Sequence, residues 1–289
     1  MDIVIEGLVK SYGPQRAVDN LSFEVKTGEV VGFLGPNGAG KSTTMKMITG
    51  YLDVEEGDIR IGGYSIREHI ERTKKHIGYL PEHNPLYLDM PVMDYLAFCA
   101  ALQGVEKSII SDRVREMVRL TGLNREKHKK IGELSKGYRQ RVGIAQAMIH
   151  DPEVLILDEP TTGLDPNQIV EIRKLIRELG QQKTVILSTH ILPEVEATCD
   201  RILIINRGKI VANGTSESLR SQAQGQEVLR VRIENTTTSN AVEGLNHISE
   251  IAQAKPHAAD SELIEVQSKS GRSSRRAIFQ ACVDNGWVL

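Results

Sequence analysis

Hydrophobic residues recur along this chain with two periods, and the switches between them outline its elements. Ile3 and Ile5, then Leu21, Phe23 and Val25, occupy every second position with polar residues between, the period of half-buried antiparallel strands. Val30-Val31-Gly32-Phe33-Leu34 is instead continuously apolar, ends at a glycine-rich turn, and gives way to Met45, Ile48 and Leu52 at helical spacing. That order predicts strand, loop, helix. Residues 85–150 are largely helical in pattern, with helices predicted at Val92 to Gln103, Ile109 to Thr121 and Lys136 to Ile149. The stretch reads as an inserted helical subdomain. Val154 to Leu157 and Thr184 to Ser188 are runs of strand length, rich in apolar and β-branched residues, on either side of a helical pattern around Ile169 to Leu179. Strands apolar on both faces belong in a mainly parallel sheet covered by helices. Ile202 to Ile205 and Ile210 to Ala212, joined through Gly208, predict a closing hairpin.

After Thr215 the texture turns polar, and the Gln- and Ser-rich stretch 216–226 is expected to be a linker. It divides a larger α/β domain, residues 1–215, from a small α+β domain, residues 227–289. The smaller pattern predicts a strand (Val228 to Ile233), a helix (Ala241 to Ala254), a strand (Leu263 to Gln267), a helix (Ser274 to Asp284) and a strand starting at Trp287. This is the order of a split βαβ unit. Because the last strand breaks off at Leu289, a truncated or short form of the domain is expected.

Composition narrows the class. With 40% hydrophobic and 26% charged residues and a net charge of -2, the chain has the balance of an ordinary soluble protein. It carries no basic excess, so nucleic acid is not an expected partner. Met1 to Glu6 lacks the basic and long apolar regions of a secretory signal. The longest apolar run, Leu96 to Leu102, falls far short of the about 20 residues that span a bilayer. Neither a signal peptide nor a transmembrane segment is expected. Cys99, Cys199 and Cys282 lie far apart, which indicates neither a zinc site nor a disulfide framework and fits a reducing cytoplasm.

The candidate chemistry starts at Gly35-Pro36-Asn37-Gly38-Ala39-Gly40-Lys41-Ser42, which satisfies G-x-x-x-x-G-K-[ST] between a predicted strand and a predicted helix. Glycines let backbone N–H groups converge on phosphates, and the helix that follows adds its positive end. Lys41 is placed to neutralise the β- and γ-phosphates, and Ser42 to ligate Mg²⁺. A second signal is Asp158-Glu159, at the end of an apolar strand. Ligands of open α/β sheets gather beyond the carboxyl ends of the strands, where Lys41 also falls. Asp158 is then a Mg²⁺ partner and Glu159 a general base for water, although an acid pair there also serves as a plain helix cap. His190, ending the next strand, falls on the same edge and is expected to touch a γ-phosphate.

One segment carries a family resemblance. Leu134-Ser135-Lys136-Gly137-Tyr138-Arg139-Gln140-Arg141 is similar to the signature motif of the ABC ATPases. Ser135 is also a good N-cap, and a capped helix start is itself an anion site, so the structural and functional readings agree. The other landmarks of that family follow in order over residues 1–213. Tyr12 matches the aromatic on which adenine stacks, Gly163-Leu164-Asp165 the segment lining the dimer contact, and His190 the switch histidine.

The resemblance implies a P-loop NTPase fold of ABC type, with a mainly parallel sheet core, an antiparallel β subdomain and the helical insert. ATP is the implied nucleotide, bound through Tyr12, Gly35, Asn37, Gly38, Gly40, Lys41, Ser42 and Thr43, with Ser135 and Gly137 supplied across a head-to-tail homodimer formed in the presence of ATP. Ser42, Asp158 and Glu82 are the implied Mg²⁺ contacts. Glu82 and Lys136 depart from the family's usual glutamine and glycine; Glu82 adds charge beside a triphosphate, and Lys136 is expected to add a cation near the facing γ-phosphate. Both departures resemble the branch that drives ABC-2 type exporters, including gliding-motility-associated and drug-export subunits. That branch implies an ABC-2 type membrane permease as partner and residence at the cytoplasmic face of the membrane. Ribosome-remodelling relatives carry two ATPase units where this chain has one phosphate loop. Chromosome-structuring relatives carry a long coiled-coil insertion, for which the interval from Lys41 to Leu134 is too short. Sugar importers end in β-barrel-type tails, unlike the strand and helix order found here.

Overall fold

The alternating N-terminal segment forms a long antiparallel pair, β1 (Ile3–Tyr12) and β2 (Gln15–Val25). The continuous apolar run is β3 (Val30–Leu34), buried at all of its positions, followed by α1 (Lys41–Ile48). Then come β4 (Glu56–Ile61), β5 (Tyr64–Ser65), α2 (Ile70–Lys75) and β6 (Ile77–Leu80). The helical insert holds α3 (Val92–Leu102), α4 (Ile110–Leu120) and α5 (Lys136–Met148), close to the predicted ranges. The chain continues through β7 (Val154–Asp158), α6 (Pro166–Gly180), β8 (Thr184–Thr189), α7 (Leu192–Thr198), β9 (Arg201–Asn206) and β10 (Lys209–Gly214). This computed structural model describes residues 1–223, 227–257, 260–269 and 272–289, which divide into the units Met1–Ser216 and Glu217–Leu289.

In the first unit β1, β2, β4 and β5 make an antiparallel sheet, and a second sheet runs β10-β9-β3-β8-β7-β6. Strands β9, β3, β8, β7 and β6 pair in parallel, as two-faced apolar strands should, and β10 closes the edge antiparallel through the Arg207-Gly208 turn. One apolar core joins both sheets: the Phe23 and Phe33 rings meet at 5.6 Å, and α1 adds the fully buried Met45, Met47 and Ile48.

Register decides where the chemistry falls. Leu34 pairs with Thr189 and Asp158 with Ser188, so β3, β7 and β8 end side by side and their following loops leave from one edge. The helical insert is seated against this sheet at β6. A Cβ on Gly78 would stand 2.1 Å from the Ala147 carbonyl oxygen of α5 and 2.8 Å from Leu155. Only a glycine lets α5 approach β6 so closely.

The second unit opens with α8 (Ser216–Ala223), which begins in unit 1 at Ser216 and occupies most of the expected linker. Glu217, Leu219, Arg220, Gln222 and Ala223 favour helix, and that preference outweighs the polar texture read as linker; residues 224–226 of the expected linker lie outside the described residues. The rest comprises β11 (Val228–Arg232), α9 (Thr238–Asn246), β12 (Ile251–His257), β13 (Asp260–Ser268) and α10 (Arg275–Asp284). Strand β13 lies between β11 and β12 and antiparallel to both, which makes β11-α9-β12 a split βαβ unit. Near the expected strand start at Trp287, the structure has a single isolated antiparallel bridge between Glu234 and Val288.

The helix expected to reach Ala254 stops at Asn246. The Asn246 side chain accepts from the Ala254 N–H at 2.7 Å and donates to its carbonyl at 3.0 Å, tying the helix end to β12. Pairing with β13 then holds Ile251 to His257 extended.

Gly78→Ala is expected to destabilise the first unit by roughly 1–3 kcal/mol through overpacking, read as a lower urea midpoint for its transition. An unchanged midpoint would mean that α5 and β6 have room to part.

Candidate functional site

Residues Gly35 to Gly40 carry the chain from β3 into α1. Gly40, the residue before the helix, has φ 107°, and a Cβ there would stand 2.3 Å from the Ala17 carbonyl oxygen. The loop curls back far enough for Lys41 Nζ to donate to Gly35 O at 2.9 Å and Pro36 O at 3.4 Å. The same ammonium stands 3.4 Å from Glu159 Oε1, and Lys41 is only 5% exposed. A charge so buried persists only where acceptors and counter-charge converge on it.

Asp158 and Glu159 leave the end of β7 beside this loop. Asp158 Oδ1 accepts from Ser42 Oγ at 3.2 Å and from Ser188 Oγ, while its Oδ2 is buried with no protein partner. Burial holds the Asp158 carboxyl above its ordinary pKa, the two serine hydroxyls pull against that shift, and the charges of Glu82 and Glu159 add to it. The oxygens of Ser42 and Asp158 are the hard donors that Mg²⁺ takes, and the orphaned Oδ2 has a free lone pair to give. Among the described residues no group of three His, Cys, Asp or Glu side chains is placed to hold a metal ion, so the protein supplies few ligands and the triphosphate would supply others.

Glu159 has φ 48°, a left-handed backbone that costs a residue other than glycine roughly 1–2 kcal/mol. Its N–H is fixed by the Ser188 carbonyl and hydroxyl, both at 3.1 Å. Its carboxylate accepts from Thr162 Oγ1 at 3.1 Å and meets His190 Nδ1 at 3.0 Å. His190 itself is 44% exposed, its ring at the mouth of the site.

A cleft of about 450 Å³ opens beside these groups, lined at one end by Tyr12 and Gln15, then by Asn37, Gly38, Gly40, Lys41, Ser42 and Thr43, and at the other end by Glu82 and Glu159; Asp158 and His190 are bonded to Ser42 and Glu159 of its lining but are not among its lining residues. Tyr12 is half exposed at the tip of β1, with Lys10 Nζ 6.0 Å from its ring centre. The structure therefore brings together Tyr12, the phosphate loop, Glu82, Asp158, Glu159 and His190. Ser135 and Gly137 are not among the residues lining this cleft. Ser135 caps α5, accepting from Tyr138 N at 3.4 Å, and Gly137 is buried where a Cβ would stand 2.5 Å from Gln168. The Lys136 ammonium lies against Gly163 of its own chain. Asp165 N-caps α6, accepting from the N–H groups of Asn167 and Gln168 at 3.0 Å.

Sequence reasoning missed Ser188, Thr162, Thr161, Thr189 and Glu194. Glu194 on α7 is buried, and its Oε2 accepts from Thr161 Oγ1 at 2.7 Å and Thr189 Oγ1 at 2.9 Å. The available signal was hydroxyl residues ending an otherwise apolar buried strand, which solvent does not explain.

Residues 18–162 match the sequence profile of the family described as ABC transporter. The chain is 36% identical to an ABC transporter ATP-binding protein, YxlF, of Bacillus subtilis (strain 168), over 99% of this chain and 92% of that protein. It is 36% identical to the Nod factor export ATP-binding protein I of Ralstonia nicotianae, over 78% of this chain and 71% of the relative. Among solved structures, an ATP-binding subunit of an ABC transporter superposes with a TM-score of 0.69 at 32% identity, covering 77% of this chain and 93% of that one.

A carboxyl whose pKa is raised on folding opposes the fold once it is ionised, and this cost disappears as pH falls through the raised value. Asp158→Asn is thus expected to raise the melting temperature of the nucleotide-free protein near pH 7, where a gain of about 1 kcal/mol is worth roughly 2–4 °C. The gain should shrink toward acid pH, as thermal unfolding across pH 4.5 to 8 (about that range) would show. A mutant less stable at neutral pH would mean that the serine hydroxyls more than offset burial.

Proposed function

This chain belongs to the ABC transporter family as an ATP-binding subunit, and from that premise we propose that two copies pair head to tail around two ATP molecules, hydrolyse them and drive a membrane permease. The reading is carried by one observation: Lys41, Ser42, Asp158, Glu159 and His190 are joined at one sheet edge by the Lys41–Glu159, Ser42–Asp158 and His190–Glu159 contacts, whereas Ser135 and Gly137 make none of these bonds and do not line the cleft that Lys41 and Glu159 border. A second copy would bring those two to the phosphates, and each copy would complete the other's site.

In this reading Tyr12 stacks on adenine, and the N–H groups of the Gly35 to Gly40 loop and the start of α1 receive the phosphates. Lys41 exchanges its two loop carbonyls for phosphate oxygens, which also loosens its hold on Glu159. Ser42 and Asp158, with Glu82 as third candidate, would hold a Mg²⁺ ion, whose charge offsets that of the triphosphate when bound. Glu159, held in position by Thr162 and His190, orients the attacking water and takes its proton. His190 bridges this base and the γ-phosphate. ATP contacts both copies only when they are closed, so it stabilises that state, and hydrolysis releases it.

Among the described residues no helix is long and apolar enough to cross a membrane. In this reading the permease is of ABC-2 type, with this subunit docked at its cytoplasmic face, as the resemblance to the exporter branch implies. Export is supported by the likeness to a Nod factor export subunit and by the acidic Glu82 and basic Lys136 that resemble the exporter branch.

Glu159→Gln is expected to bind ATP, accumulate as a dimer in size-exclusion chromatography and lose at least about a hundredfold in turnover, the usual worth of a general base. Near-normal turnover in that variant would remove Glu159 from the role. Composite sites make a further prediction. Lys41→Ala and Ser135→Arg are each expected to be inactive alone, and their mixture should regain turnover, since one of its two sites has both residues intact. A mixture as inactive as its components would argue against sharing between copies.

A further inference from the structure

Two loops must keep a fixed relation for the proposed hydrolysis: the one that follows β7, carrying Glu159, and the end of β8, carrying His190. Glu194 sits between them. It is on neither loop but on α7, it is buried at 5% exposure, and a single oxygen, Oε2, accepts from Thr161 Oγ1 at 2.7 Å and Thr189 Oγ1 at 2.9 Å. Thr161 lies two residues after Glu159, in a tight turn where Thr162 N donates to Glu159 O and Leu164 N to Thr161 O. Thr162 in that turn is the residue that holds the Glu159 carboxylate. Thr189 immediately precedes His190, and its hydroxyl oxygen also accepts from the Ile191 N–H at 3.2 Å. One buried oxygen thus fixes the turn behind the base and the strand end behind the histidine.

We propose that Glu194 is a positioning residue for ATP hydrolysis: it clamps the Thr161 turn to Thr189 and so sets the distance and angle at which Glu159 and His190 meet. The inference rests on the ATPase reading above. Physically, the clamp is needed because Glu159 sits in a left-handed backbone, which persists only where its surroundings over-determine it. The Ser188 bonds fix the N–H side of Glu159. On the carboxyl side, the turn is tied to the next strand through Glu194. Without the clamp, the β7 and β8 pairing would survive, since its backbone bonds end at Asp158 and Ser188, but the base and the histidine would lose their common reference. Misplacement of a reacting group by about 1 Å costs on the order of a hundredfold in rate. ATP affinity should be spared, because neither Glu194 nor the threonines line the nucleotide cleft.

The experiment measures ATP turnover and, separately, nucleotide affinity by calorimetry on the full chain. Wild type must hydrolyse ATP; if it does not, the ATPase reading fails rather than this inference. Glu194→Ala is expected to lose roughly ten- to a hundredfold in kcat with Kd for ATP unchanged. Glu194→Gln, whose amide oxygen still accepts from both threonines, should retain most of the turnover. In a Glu159→Gln background, adding Glu194→Ala should lower the residual rate no further, because the group being positioned is already gone. If Glu194→Ala folds poorly, Thr161→Val and Thr189→Val, each removing one hydroxyl from the clamp, are expected to show the same loss of kcat at constant Kd. Wild-type turnover in all three variants, an equal fall in affinity and kcat, or an additive loss in the Glu159→Gln background would each overturn the assignment.

Discussion

The Lys41 ammonium is almost wholly removed from water, and every element of the sheet edge around it is arranged to answer that charge. Carbonyls of Gly35 and Pro36 reach it because the loop doubles back on a glycine held at positive φ, and Glu159 reaches it because β7 ends beside β3's neighbour β8. A buried charge deprived of one partner is far costlier than the pair is stabilising. The parallel register, the curl of the loop and the strained backbone of Glu159 therefore stand or fall together. The same logic sets the neighbouring carboxyl apart: Asp158 is as deeply buried, but its partners are two hydroxyls and no cation, and its second oxygen has none. One acid is compensated within the chain, and the other is left able to bind a further positive charge.

Much of this edge was legible in the sequence because it is local. The phosphate loop is contiguous, Asp158-Glu159 and His190 end runs whose apolar continuity marks them as central strands, and the doubly wound arrangement sends all such ends to one side. What stayed hidden is relational. Ser188 reads as one more residue of a strand, and nothing in its neighbourhood announces that its hydroxyl binds Asp158 and receives the Glu159 N–H. Glu194 looks like a polar residue early in a short helix, where an acid favours the helix dipole. Only the packing of α7 buries it and turns it toward two threonines, one in the turn after β7 and one ending β8.

The second unit failed in the opposite way. There the expected order puts Leu263 to Gln267 directly after the first helix, whereas in the structure β12, whose first residues fall inside the predicted helix, is the second strand of the βαβ unit and β13 lies between it and β11. Leu245, Ile248, Ile251 and Ala254 keep a helical interval of three, and Ala and Gln favour helix. Local preference lost to pairing with β13 and to the two bonds between Asn246 and the Ala254 backbone, both of them set by residues that a short window of sequence cannot relate.

Division of labour within the site follows from where its groups are anchored. Lys41, Ser42, Asp158, Glu159 and His190 are locked to one another through the sheet, so whatever orders the chemistry is largely prebuilt in a single chain. Prebuilt donors and bases need little reorganisation when the reaction occurs. Ser135 and Gly137 belong instead to α5, seated against β6 and α6, and on the proposed pairing they would serve the other copy. A ligand shifts a conformational equilibrium only by its difference in affinity for the two states. On that proposal, groups on the rigid edge would touch ATP whether the copies are open or closed and so add affinity to both states, while groups on α5 would touch it only in the closed pair and so contribute the difference. The edge that answers the Lys41 charge is thus suited to chemistry, and the helical insert to turning nucleotide binding into motion.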